Sequence, residues 1–186
     1  MVEREFWVFA YGSLMWNPGF AWEQRVPARL HGFHRAMCIY SHVWRGTPER
    51  PGLVLGLDRG GSCRGLAYRI DPRLEPEVTD YLEARERVTA VYLGKRLAVT
   101  LEGAGAAAAK EPPRRALALT YVADRGHHQY AGRLPEAEAA RLIRQGRGRG
   151  GLNTDYLESA VRHLAALDMP DGPLTRLHRL VREEKR

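Results

Sequence analysis

At 186 residues with 44% apolar side chains, the chain is read as a single globular domain over 1–186, long enough for a core and too short for two comfortable ones. No apolar stretch approaches a membrane span of about 18 residues, and the acids in Met1-Val2-Glu3-Arg4-Glu5 argue against a secretory leader, so a cytoplasmic setting without a membrane partner is expected. The net charge of +7 admits nucleic acid, but the cations are mostly scattered Arg interleaved with acids, which predicts a surface for small anions instead.

Phe6-Trp7-Val8-Phe9-Ala10 reads as a first strand, and Tyr11-Gly12-Ser13-Leu14 as the turn that leaves it. Peptide N–H groups at such a turn can converge on phosphate or carboxylate, although a plain structural turn would use the same residues. Further strands are expected at 26–30, 34–41, 52–57, 63–70, 91–101 and 116–123, with Pro27 marking an edge or a bulge. His31 and His34 flank an expected turn at Gly32, and Gly60-Gly61 an expected hairpin turn. Residues 103–115 are a low-complexity loop, expected to be mobile.

A helix is predicted over about 72–87, with Asp71 as its cap and Pro72 in its first turn. Leu74, Val78, Tyr81 and Leu82 fall on its buried face. Stepping by about 100° per residue puts Glu83 opposite that face and Glu86 on its border. Glu83 is then a solvated acid, whereas Glu86 is partly buried at a helix end that disfavours negative charge. Asn153 caps another helix, stapled by Leu152 and Leu157, with Val161 and Leu164 continuing its stripe. A last helix begins near Pro173 and buries Leu174, Leu177 and Val181.

Nucleotide fingerprints are absent from the sequence, and none of the seven histidines joins a metal-binding pattern, so no cofactor and no metal are expected. Cys38 and Cys63 lack metal-ligand spacing and predict reduced, packed thiols. Ser13 has no nucleophile elbow around it and is better suited to offer its N–H and hydroxyl to a ligand. Arg45 and Arg50 lie in a loop stiffened by Pro48 and Pro51, either a surface turn or a lid presenting guanidinium to a carboxylate. Tyr121 on a strand and Tyr130 in the loop beyond it can each be explained by core packing. The arginine-rich stretch 144–149 serves equally as a connecting loop or as a short RNA-binding segment.

Taken in order, Ala10-Tyr11-Gly12-Ser13-Leu14 through Phe20, Arg45-Gly46-Thr47-Pro48-Glu49, Gly60-Gly61, Arg85-Glu86, Gln129-Tyr130-Ala131-Gly132 and Asn153 with Asp155-Tyr156-Leu157 resemble the ChaC family of γ-glutamylcyclotransferases. The resemblance covers nearly the whole chain. It implies an α+β fold, a small mixed β-barrel with peripheral helices. It also implies a cofactor-free lyase that cleaves glutathione into 5-oxoproline and cysteinylglycine. Tyr11, Gly12, Ser13 and Leu14 would bind the γ-glutamyl group through backbone amides, and Glu86 would be the catalytic acid/base. Arg45, Tyr92, Tyr121 and Tyr130 complete the implied substrate-binding set. Two departures stand out. A Gly common between the catalytic Glu and the next Tyr is missing from Arg87–Val91, and His128 stands where relatives often have Pro, which would loosen the Tyr130 loop.

The chemistry suits these residues on independent grounds. The α-amine of a γ-glutamyl amide can close on its own γ-carbonyl, so holding the folded conformer supplies much of the catalysis. One carboxyl with a raised pKa can take the ammonium proton and return it to the leaving amine. A related cyclotransferase for other γ-glutamyl amino acids or amines and a non-enzymatic RNA-binding module are the alternatives, and no oligomeric state follows from these residues.

Overall fold

The computed structural model describes residues 5–86, 88, 90–102 and 114–183. Phe6–Ala10 forms β1, and all five of its residues are buried. It is paired on both sides: antiparallel to β3 (Gly52–Ile70), with Phe6 opposite Ile70 and Ala10 opposite Leu66, and parallel to β5 (Arg114–Ala123), with Trp7 opposite Ala118. Because all five residues are buried, both faces of β1 are covered and neither needs to be polar, which accounts for its unbroken apolar run. With β2 (Gln24–Ser41) and β4 (Tyr92–Leu101) the order β1-β3-β2-β4-β5 closes into a mixed barrel, as the resemblance implies.

The strands are longer than the sequence suggests. β2 joins the expected strands 26–30 and 34–41, and β3 joins 52–57 and 63–70. Gly32, Gly60 and Gly61 make no chain-reversing turns. They keep φ of +83°, +100° and +67° while remaining inside the strands, the local geometry that bends a long strand around a barrel. Pro27 is not on an edge either, because β2 lies between β3 and β4. It sits where the β4 pairing begins, and its carbonyl accepts from the Glu102 N–H at 2.8 Å.

By internal contacts the chain divides into two compact units, Met1–Arg35 with Arg59–Val122 and Ala36–Asp58 with Ala123–Arg186. The first unit holds β1, β4, most of β5 and α1 (Glu75–Glu86). Asp71 accepts from the Arg73 N–H, a 3-10 turn follows over Pro72–Leu74, and α1 then buries Val78 and Leu82. Leu74 is half-buried, and Tyr81, expected on the buried face, is exposed. Glu83 is half-buried rather than fully solvated. Of the expected loop 103–115, residues 103–113 lie outside the described residues, and Arg114 and Arg115 begin β5.

The second unit holds α2 (Glu136–Gln145), a two-stranded hairpin of β6 (Arg147–Gly148) and β7 (Gly151–Leu152), α3 (Asn153–Ala166) and α4 (Gly172–Glu183). Leu157, Ala160 and Leu164 on α3 and Leu174, Leu177 and Val181 on α4 are buried at helical spacing, while Val161 is half-buried. Asn153 does not cap α3. It is the first helical residue, fully buried, and its amide exchanges two 2.7 Å hydrogen bonds with the Leu53 backbone, as a neighbouring strand would. Leu152, the expected half of a staple, is 39% exposed and pairs with Arg147 in the hairpin instead. Both cysteines are free and buried, as expected.

Candidate active site

The Tyr11–Leu14 turn leaves β1 under close constraint. A side chain at Gly65 would bring a Cβ within 2.2 Å of the Ala10 carbonyl, so only glycine lets β3 follow β1 to its end. Gly12 follows with φ −130° and ψ −136°, and Ser13–Met15 form one 3-10 turn closed by the Met15 N–H on the Gly12 carbonyl at 2.9 Å. Met15 is 1% exposed and anchors the turn. The carbonyls are held from within. Buried Arg35 donates through Nε to Tyr11 O at 2.5 Å and through Nη2 to Arg64 O at 2.8 Å, and the Tyr68 hydroxyl lies 3.0 Å from both Leu14 O and Met15 O. In a planar trans peptide, fixing the Tyr11 carbonyl on Arg35 turns the Gly12 N–H to the opposite side.

Glu86 ends α1 and is partly buried, as helical stepping predicts. Burial pushes its carboxyl up to about 6, with the neighbouring Arg85 charge pulling in the other direction. Arg85 also reaches back to the turn: Nη2 donates to Ser13 Oγ at 2.7 Å and Nη1 to Asn17 O at 3.2 Å. This contact places the Tyr11–Leu14 turn beside the helix end that carries Glu86. Tyr92 opens β4 half-buried, and Tyr121 on β5 is 6% exposed over Gly94, where a Cβ would sit 3.4 Å from its ring. Loop, Glu86, Tyr92 and Tyr121 all belong to the first unit. Arg35 and Arg85 are not legible as site residues in the sequence: Arg85 stands there only as Glu86's neighbour, and no local pattern marks Arg35.

Tyr130 and Arg45 belong to the second unit. The Tyr130 hydroxyl donates to Asp58 Oδ2 at 2.9 Å, and Arg125 Nε donates to Asp58 Oδ1 at 2.8 Å. Burial, then the Asp58 carboxylate, raise the Tyr130 pKa. The Tyr130 loop is tied by its backbone through a bridge to Ile39 and through Ala131 N–H on Cys38 O at 2.8 Å. Burial, then Asp58, push the Cys38 thiol up to about 12, which leaves it protonated and unsuited to nucleophilic attack. Arg45 packs over the Tyr156 ring and donates to Leu152 O at 3.1 Å. In the arginine-rich stretch, Arg144 donates to the carbonyls of Leu180 and Val181 near the end of α4, where a cation suits the helix dipole. Among the described residues no group of three or more His, Cys, Asp or Glu could hold a metal ion.

Residues 6–184 match the family model of ChaC-like proteins. The chain belongs to the ChaC-like family. A relative in Escherichia coli K12, a glutathione-specific gamma-glutamylcyclotransferase, is 35% identical over 176 residues, covering 94% of this chain and 72% of the relative. Gamma-glutamylcyclotransferase 2-3 of Arabidopsis thaliana is 31% identical over 182 residues, covering 95% and 88%. A yeast crystal structure of a glutathione-specific gamma-glutamyl cyclotransferase superposes with a TM-score of 0.84 at 26% identity, covering 98% of this chain and 100% of that one.

Beyond Glu86, Ala90 takes φ +52°. The backbone there is left-handed with an alanine in it, a conformation that costs an L-residue about 1–2 kcal/mol. Residues 87 and 89 lie outside the described residues.

Proposed function

We propose that this enzyme is a γ-glutamylcyclotransferase that converts glutathione into 5-oxoproline and cysteinylglycine. The observation that carries the reading is a partly buried carboxyl raised to about 6, at the end of a helix hydrogen-bonded to the Tyr11–Leu14 turn. In this reading the turn's N–H groups hold the γ-glutamyl moiety, and Tyr92 and Tyr121 of the same unit contribute to its binding. Arg45 and Arg50 suit a substrate with a second carboxylate through their charge alone.

Near neutral pH Glu86 is ionised and takes a proton from the substrate's α-ammonium. The freed amine attacks the γ-carbonyl carbon, forming the lactam C–N bond and an oxyanion that N–H or Tyr O–H donors stabilise. Collapse of that intermediate breaks the bond to the cysteinyl nitrogen, which receives the proton from Glu86, and the ring nitrogen gives up its second proton to the departing amine, which leaves as an ammonium. The carboxylate is regenerated, and the positive charge of the substrate's α-ammonium departs on cysteinylglycine. A cytoplasmic setting is part of the proposal, supported by the two free, buried cysteines.

Incubation with a panel of γ-glutamyl compounds and detection of 5-oxoproline tests the substrate. Preferential turnover of glutathione is the expected result, and preference for another γ-glutamyl amino acid or amine would replace it. Glu86→Gln should keep the fold and lose activity by about 10²–10⁴-fold. Normal 5-oxoproline release by that variant would overturn the assignment of Glu86.

A further inference from the structure

Arg85 forms three hydrogen bonds among the described residues, and they share a direction. Nη2 donates to Ser13 Oγ at 2.7 Å, while Nη1 donates to Asn17 O at 3.2 Å and to the Tyr81 hydroxyl at 3.1 Å. Two of the three go to the Tyr11–Asn17 segment, and the third braces the guanidinium against its own helix one turn earlier. The Asn17 N–H donates to Ser13 O at 2.8 Å, so both points that Arg85 grips belong to one closed turn. The brace is itself fitted: a Cβ at Gly19, where φ is +75°, would lie 2.0 Å from the Tyr81 hydroxyl oxygen. A planar fork with several fixed donors can satisfy these acceptors together, which the single ammonium of lysine cannot.

The bond to Ser13 also sets which way that hydroxyl faces. A serine hydroxyl has one proton and two lone pairs. With a cationic N–H on one lone pair, its own proton turns away from the guanidinium, and the charge polarises the O–H into a stronger donor. Arg35 holds the Tyr11 carbonyl of the same segment, so two cations grip the turn at different points. A cluster of donors and positive charge at one turn suits a carboxylate or a developing oxyanion.

We propose that Arg85 is a positioning residue of the site: it holds the Ser13 hydroxyl and the 11–17 turn against the last turn of α1, so that Ser13 Oγ–H donates to the γ-glutamyl group. The identity of that group rests on the proposed function above; the grip on the turn does not. Arg85 touches no reacting atom in this scheme and acts through Ser13.

The test combines steady-state release of 5-oxoproline from glutathione with amide hydrogen exchange of residues 11–17. Wild type, Arg85→Gln, Arg85→Lys, Ser13→Ala and the Arg85→Gln/Ser13→Ala double variant are compared. Loss of a charge-assisted hydrogen bond should raise KM about 10–100-fold in Arg85→Gln, with a much smaller fall in kcat. Ser13→Ala should match it, the double variant should be no worse than the poorer single one, and Arg85→Lys should recover part of the loss. Exchange at 11–17, which needs no substrate, should speed at least about 10-fold in Arg85→Gln while the barrel strands stay protected. Unchanged exchange there overturns the proposal whatever the substrate. So does a loss confined to kcat that tracks a lowered melting temperature, or strictly additive losses in the double variant. A wild-type enzyme that releases no 5-oxoproline from glutathione would instead overturn the proposed function, and the exchange result alone would then decide the role of Arg85.

Discussion

Glu86 titrates near 6 because its carboxylate loses solvent at the helix end and Arg85 restores only part of what is lost. Two consequences follow at this residue. A base must be ionised to accept a proton, so kcat/KM should rise with pH through about 6 and level off above it; a profile flat from pH 5 to 8 would remove Glu86 from the rate. Stability runs the opposite way. The folded-state pKa lies above the unfolded value of about 4.3, so the folded state is favoured below that value, and this advantage is lost as pH rises through about 6. Glu86→Gln should therefore be more stable than wild type at pH 8, by up to about 2 kcal/mol, and close to it at pH 4. Thermal unfolding of both proteins at the two pH values checks the sign. The partial burial of Glu86 could be read from helical stepping alone, since it depends on residues of one helix. The Arg85–Ser13 bond could not, because it joins positions 72 apart in the chain.

At the scale of elements, α4 followed its apolar spacing, α1 departed from it at Tyr81 and α3 at Val161, and the strands outran theirs. Strand candidates were separated at Gly32 and at Gly60-Gly61 because glycine punctuates a local pattern. Inside a barrel the same residues bend a continuous strand, since pairing on both sides holds the backbone that the glycines would otherwise reverse. Asn153 shows the same shift from local to tertiary meaning. Its side chain satisfies both the N–H and the carbonyl of Leu53, and a Cβ at Gly52 would come within 2.6 Å of its amide oxygen. Asn153→Ala would leave two buried backbone groups without partners and should cost about 2–4 kcal/mol, far more than removal of an exposed cap. Denaturant unfolding measures it; a loss near 0.5 kcal/mol would mean that the Leu53 backbone finds other partners.

For the whole molecule, the net charge of +7 acts on any anionic substrate before contact. Glutathione carries a net negative charge near neutral pH. Its kcat/KM should then fall several-fold between about 50 mM and 500 mM salt as the field is screened, with kcat little changed. Equal values at both salt concentrations would mean that the charge serves another purpose. Arg144 is tied to the end of α4 and Arg147-Gly148 to a hairpin, which gives the arginine-rich stretch a structural use independent of nucleic acid. Steeply salt-dependent RNA binding lost with Arg147 and Arg149 would nonetheless revive that reading.

Helical stepping determined a partly buried Glu86, and the ordered Tyr-Gly-Ser-Leu, Arg-Gly-Thr-Pro and Arg-Glu blocks, by resembling the family, implied a mixed barrel. These are local signals, each carried by residues close together in the chain. Tertiary structure alone decided that two glycine-broken pairs of strands are two long ones, that Asn153 serves Leu53 rather than its own helix, and that Arg35 and Arg85 both grip the turn. Each of these depends on what a side chain or backbone group meets across space. A buried polar group or a closely approached backbone must find its partner wherever the fold supplies one.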